Sequence, residues 1–219
     1  MDPSIRTVLV GMPADISDDQ GEPRTWRSGF HKRAVSGQVM LGRENLAGDG
    51  QADRTVHGGA EKALLGYCGE HYRQWKDELG HGRLTDGAFG ENLTLSGLDE
   101  EGAAIGDIFR VGTTLIQVSQ PRQPCWKLAR RCRIKDLPAR AIASGRLGWY
   151  FRVLEEGTLQ AGDLLVSAER PNPAWTIARI NRLFFGPPAQ ARTLLGAAAE
   201  ITGMSPEFAD LCRRRFAAA

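Results

Sequence analysis

The chain of 219 residues lacks any apolar run near the roughly 18 residues that a membrane-spanning helix needs, so no membrane association is expected. Its first residues, MDPSIRTVLVG, hold no basic stretch followed by an apolar core. No secretory signal is read there, and the cytoplasm is the expected compartment. Cysteine is scarce: Cys68, Cys125, Cys132 and Cys212 are all there are. No CxxC pair and no Cys/His set at zinc-finger spacing occurs, which argues against a disulfide framework, a zinc site and a ferredoxin-type cluster. No GxGxxG or GxxxxGK[ST] loop is present to cradle a dinucleotide or nucleoside triphosphate. Neither charge sign dominates, with 28 Lys+Arg against 26 Asp+Glu and a net charge of +2. That balance gives no reason to expect stable nucleic-acid binding. Hydrophobic residues at 42% and charged ones at 25% are ordinary for a globular protein and exclude wholesale disorder.

Glycine is plentiful, 26 in all, and it cuts the first two-thirds of the chain into short segments. Residues 5–10, 38–41, 63–67, 92–96, 107–111, 113–119, 149–154 and 163–168 read as strands, the run TTLIQVS most clearly because β-branched residues dominate it. Many short strands with frequent turns predict a mainly β protein, a barrel or sandwich, in place of a doubly wound sheet. Helices are expected over 70–79, with Tyr72, Trp75 and Leu79 on one face, from about Cys125 onward, and over 137–144.

Composition changes near 170–173. The tail loses β-branched residues, gains Ala, Arg and Leu, and carries six Lys+Arg against three Asp+Glu. It reads as three short helices, 176–185, 188–199 and 205–216, the last with Ser205 as N-cap and Pro206 at the first helical position. Residues 1–171 and 172–219 are therefore expected to be a β domain and a small C-terminal three-helix domain. A fold of so few residues rarely stands alone, so it should dock on the rest or on a partner.

The stretch SQPRQPCWKLARRCR carries the chemistry. Pro121 and Pro124 stiffen the chain around Arg122 and Gln123. Cys125 falls where a strand has ended and a helix begins, a place where free backbone N–H groups favour thiolate. Arg122, Lys127, Arg130, Arg131 and Arg133 add five cations with no acid among them. Such a thiol suits nucleophilic attack or a soft metal, although a cysteine buried beside a solvated basic face would look the same. Cys68, Cys132 and Cys212 read as core.

Two further segments offer polar groups. GDGQADRTVHGGAEK, residues 48–62, reads as a glycine-rich loop in which His57 could meet an anion, metal or substrate, or stand as an exposed surface histidine. In GAFGENLTL, Asn92 sits at a strand mouth with donor and acceptor groups, or serves only the turn. Lys32 adds a cation before a strand.

Taken together, QADRTVHGGAEKAL, CGEHYRQW, GAFGENLTLSGL, IGDIFRVG, LIQVSQPRQPCWKL and GWYFRVLEEG resemble the MOSC domain and, within it, the YiiM subgroup of 6-N-hydroxylaminopurine resistance proteins. The likeness spans about residues 33–170 in the family's order, and the subgroup's C-terminal three-helix domain suits the tail. It implies a closed, distorted β-barrel with peripheral helices. It also implies the molybdenum cofactor, molybdopterin, as ligand, with Cys125 as the thiolate on the metal and the catalytic centre. Lys32, Arg54, His57, Arg122 and Lys127 would serve its phosphate and pterin, and Asn92 the pterin or a substrate.

The reaction implied is two-electron reduction of a small N-hydroxylated compound, such as an N-hydroxylated base, to its amine. With no flavin or nicotinamide fingerprint, electrons should come from a separate reductase. Three alternatives remain open at this point. One is a sulfur carrier holding a persulfide on Cys125 for metal–sulfur cluster assembly. Another is a Cys125/His57 hydrolase or transferase, and the last a non-catalytic anion-binding domain. A homodimer is also open.

Overall fold

The computed structural model describes residues 2–16, 25–80, 82–187, 194 and 196–217. Its strands in chain order are β1 (Ser4–Val10), β2 (Ala14–Ile16), β3 (Trp26–Ser28), β4 (Arg33–Val35), β5 (Val39–Leu41), β6 (Leu64–Cys68), β7 (Leu93–Ser96), β8 (Ile108–Val111), β9 (Thr114–Pro121), β10 (Trp149–Glu155), β11 (Gly157–Leu159) and β12 (Val166–Glu169). The helices are α1 (Arg54–His57), α2 (Glu70–Leu79), α3 (Trp126–Cys132), α4 (Leu137–Ser144), α5 (Ile177–Phe185) and α6 (Pro206–Ala217), with a 3-10 turn at Ala60–Lys62.

Eight strands form one curled sheet in the order β12-β8-β9-β10-β6-β7-β1-β4, while β5/β11 and β2/β3 are separate ribbons. β6 and β7 pair in parallel, with Gly66 opposite Leu93, and α2 supplies the crossover that parallel pairing needs. The other strand pairs are antiparallel.

The expected closed barrel is corrected to an open one. No continuous ladder joins the end strands β12 and β4 among the described residues. The segment entering β12 returns only briefly to β1, through the single bridge Ser4–Leu164 and the bonds Ile5 N to Asp163 O (2.9 Å), Gly162 N to Ile5 O (2.8 Å) and Leu165 N to Pro3 O (2.8 Å). Two features keep this seam short. β4 already takes the same edge of β1 at Val8–Val10, and Pro3 has no N–H to extend a ladder.

The inner face of the sheet buries Leu64, Leu93, Leu95, Ile116, Val118, Trp149 and Phe151. α5 and α6 bury Ile177, Ile180, Phe208 and Cys212 in that same cluster, so the tail docks on the sheet. Ser205 caps α6 by accepting from Phe208 N at 3.2 Å, as its place before Pro206 predicts. The predicted helix over 188–199 lies largely outside the described residues; 196–199 are helical. A second cluster, Tyr67, Tyr72, Trp75, Phe89, Leu128, Cys132 and Leu137, packs α2, α3 and α4 together. Tyr67 stacks on Phe89 at 4.2 Å and accepts from Trp75 Nε1 at 2.7 Å, which gives α3 a rigid floor.

Candidate functional site

β9 ends at Pro121, and α3 begins at Trp126 with Cys125 as its N-cap residue in extended backbone (φ −112°, ψ 170°). This is the strand-to-helix switch read from the sequence. Cys125 is half-buried and opens onto a cleft of about 630 Å³, its mouth included.

The cleft gathers residues from separated segments: Ser28 to Phe30 with Lys32, Gly50 to Asp53 with His57, Lys62 and Leu65, Gly90 and Asn92, Arg122 and Gln123 with Cys125 and Lys127, and Tyr150. Six of the seven predicted site residues line it: Cys125, Lys32, His57, Asn92, Arg122 and Lys127. Arg54 does not. Its guanidinium points to an exposed ion pair with Glu44. The segment 48–62 is also more ordered than the predicted loop, because α1 and the 3-10 turn bracket Gly58 and Gly59.

Glycine shapes two walls. A Cβ on Gly29 would lie 2.1 Å from Gly50 O, so two backbones meet there as no side chain would permit. Gly90 holds φ at +75°, with the Phe30 ring 2.9 Å from where its Cβ would stand.

Lining side chains among the described residues include four cations, Lys32, Lys62, Arg122 and Lys127, against one carboxylate, Asp53. Arg122 is 3% exposed. Its guanidinium stands 5.9 Å from the Phe30 ring and 5.6 Å from Phe89, and its Nη1 is buried with no hydrogen-bond partner. A buried cationic donor without a partner is costly. Lys127 makes no ion pair among the described residues and lies 6.0 Å from the Trp126 ring. Lys62 is paired to Glu207 of α6 at 2.6 Å, which ties the tail to the cleft.

Two predicted contacts are already committed within the fold. Asn92 donates to Asp49 Oδ2 (2.8 Å) and Leu9 O (3.3 Å), and accepts from Leu65 N (3.1 Å). Both amide protons are therefore spent, and Asn92 holds Asp49 in place. Asp49 in turn accepts from Gly11 N and pairs with Lys32. Burial pulls the Lys32 ammonium below its ordinary value, and Asp49 opposes that shift. Burial, then the Lys127 charge, holds His57 below its ordinary value, while Asp53 pulls the other way. Burial raises the Tyr150 phenol.

Asp49, Lys62, Tyr150 and the fully buried Glu91 were not singled out in the sequence. Glu91 Oε1 accepts from Tyr72 Oη, Gly87 N and Thr94 Oγ1 at 2.6, 2.6 and 2.9 Å. Its neighbour Gly90 and the GEN triplet were the available signal. Lys62 and Tyr150 carried none, because nothing local marks a residue that tertiary packing turns toward a distant cysteine. The other three cysteines behave as core. Burial raises all of them, Cys132 to about 12 and Cys212 to about 11.

With that geometry in place, comparison with known proteins assigns the chain. Residues 53–166 match the MOSC domain, and the chain belongs to that family. It is 42% identical over 180 residues to the uncharacterized protein YflK of Bacillus subtilis, covering 82% of this chain and 80% of that one. A protein named "Reductase" from Gibberella moniliformis is 35% identical over 198 residues, 88% of this chain, although the chain spans only 34% of its length. The crystal structure of YiiM from Geobacillus stearothermophilus superposes with a TM-score of 0.81 at 34% identity, covering 98% of this chain and 99% of that one. The chain is thus a YiiM-like MOSC protein.

Proposed function

We propose that this protein holds a molybdenum cofactor in the basic cleft and reduces N-hydroxylated compounds to amines. The observation that carries the reading is a half-exposed thiol, Cys125, in one cleft with the buried, unpartnered Arg122 Nη1. MOSC domains are in general molybdopterin-binding domains, and a reductase-named relative supports redox chemistry. The donor set suits such a group, with a soft sulfur for the metal and cations for an anionic phosphate and polar pterin.

In this reading Cys125 Sγ holds the metal. Arg122 Nη1 and Lys127 Nζ bind the anionic portion, and Arg122 thereby gains the partner it lacks. Lys62, paired with Glu207, and Lys32, held by Asp49 that Asn92 fixes in turn, complete the polar lining. Arg54 has no part, since Glu44 engages it. The bound cofactor would supply the two-electron redox step. Across the reaction the substrate N–O bond breaks, two electrons and two protons are taken up, and the amine and water leave. Tyr150 Oη keeps its proton at neutral pH and is available to donate to the departing oxygen, while neutral His57 can accept a proton. The electrons come from a separate reductase protein.

The test is molybdenum and pterin content of protein made in a cofactor-competent host, beside Cys125→Ala. Wild type should retain both, and the variant should lose the metal. Equal metal in both would remove Cys125 as the ligand. A labile persulfide on Cys125 with no retained molybdenum would replace the reductase by the sulfur carrier.

A further inference from the structure

Away from the basic cleft, α2, the loop 99–101, the end of α4 and α5 line another cleft, of about 1550 Å³ with its mouth included. The arginines on its walls are paired, Arg146 with Glu78 and Arg182 with Glu101. Asp99 and Glu100 add two carboxylates that no lysine or arginine pairs among the described residues, so negative charge is in surplus there.

Two side chains on these walls keep an open atom. Asn181, 4% exposed, donates Nδ2 to Gly145 O at 3.5 Å, which leaves Oδ1 buried without a donor. His71, 7% exposed, gives Nε2 to Glu100 Oε2 at 2.7 Å, and its Nδ1 is buried without a partner. Glu100 Oε1 accepts from Leu147 N and Gly148 N at 3.0 and 2.7 Å, which fixes the carboxylate and holds the ring proton on Nε2. In the neutral ring Nδ1 is then an acceptor. A buried acceptor left without a donor costs stability. Two of them on the walls of one cleft, beside surplus negative charge, suit a ligand rich in N–H donors. Half-buried Ile142 and Phe185 give the same cleft an apolar surface for a carbon skeleton.

We infer that this cleft is a second binding site, whose ligand is a small organic cation of the alkylamine or alkylguanidine class. Asn181 Oδ1 and His71 Nδ1 accept from its N–H groups, and the charges of Asp99 and Glu100 balance its own. The polarity is the inverse of the basic cleft, where the open atom is a donor. No described residue lines both clefts, so the inference stands apart from the reductase reading.

The experiment titrates the full chain by calorimetry with agmatine, which carries a guanidinium and an ammonium on one alkyl chain. The buffer is held at about pH 8, where imidazole is ordinarily neutral. Wild type should bind saturably. Asn181→Leu removes an open acceptor and should raise the Kd at least about tenfold, the scale of a hydrogen bond to a charged group. Arg182→Ala, a change at an exposed side chain, frees Glu101 and should lower the Kd a few-fold. Absence of saturable binding to wild type overturns the inference, as does an equal Kd in wild type and folded Asn181→Leu. Where circular dichroism shows Asn181→Leu unfolded, Arg182→Ala decides, and a Kd that equals or exceeds that of wild type overturns the inference.

Discussion

The basic cleft and a second cleft between α2, α4 and α5 both gather ionisable groups, but they treat charge in opposite ways. In the second, each arginine meets a carboxylate. Arg146 pairs with Glu78 at 2.7 Å and stacks 3.6 Å over Trp75, and Arg182 pairs with Glu101 at 2.5 Å. Glu100 there accepts from Leu147 N and Gly148 N and bonds His71 Nε2 at 2.7 Å. The unpartnered atoms of that cleft, His71 Nδ1 and Asn181 Oδ1, are not on the arginines. In the basic cleft the cations outnumber the carboxylate, and Arg122 Nη1 is left without an acceptor. Charge compensated inside the chain holds a fold together. A buried charge left open costs the empty protein stability, and under the proposed function a bound anion would supply its acceptor.

Four measurements break or sharpen that contrast. The largest effect is expected for Cys125→Ala, which should lower reductase activity at least a hundredfold, on the order expected for loss of a metal ligand, while the thermal midpoint stays close to wild type. Next, Arg122→Gln should weaken binding of inorganic phosphate by roughly tenfold and raise the midpoint of the ligand-free protein, because an unpaired buried charge is removed. A fall in the midpoint would mean that Arg122 is a structural residue like those of the second cleft. Third, Arg146→Ala should show the reverse pattern. It should lose about 1–3 kcal/mol of stability by thermal denaturation, with cofactor content unchanged.

The smallest effect concerns pH. Folding holds His57 below its ordinary value of 6.5, so the unfolded chain takes a proton that the folded chain resists. Stability should be unaffected by this group above pH 6.5, fall as pH drops below it, and level off once the folded ring protonates. A His57→Gln variant should show a shallower acid limb in a midpoint-against-pH series. Parallel limbs would sink the assignment of a shifted His57.

Much of the fold was legible because its signals are local. The helices at Glu70–Leu79 and Leu137–Ser144 stand at their expected bounds, and Cys125 caps α3 as the proline-flanked switch implies. Three-residue strands such as Arg33–Val35 and Gly157–Leu159 left no period to read. The 48–62 segment looked like a loop because glycine outweighs its short helical turns. Arg54 was implied as a cleft cation only by the family resemblance, and its exposed side chain pairs with Glu44 instead.

The sequence by itself determined the mainly β class, the helix that begins after Cys125, and the residue types the chemistry requires. These follow from side-chain period, proline stiffness and capping, all of which act within a few residues. The tertiary structure decided the rest: the open seam beside β1, the docking of the tail through Lys62 and Glu207, and which polar groups are spent. Asn92 and Lys32 are bound to Asp49, and Arg122 is left open, because hydrogen-bond partners 17 to 83 residues away in the chain meet only after the sheet has curled.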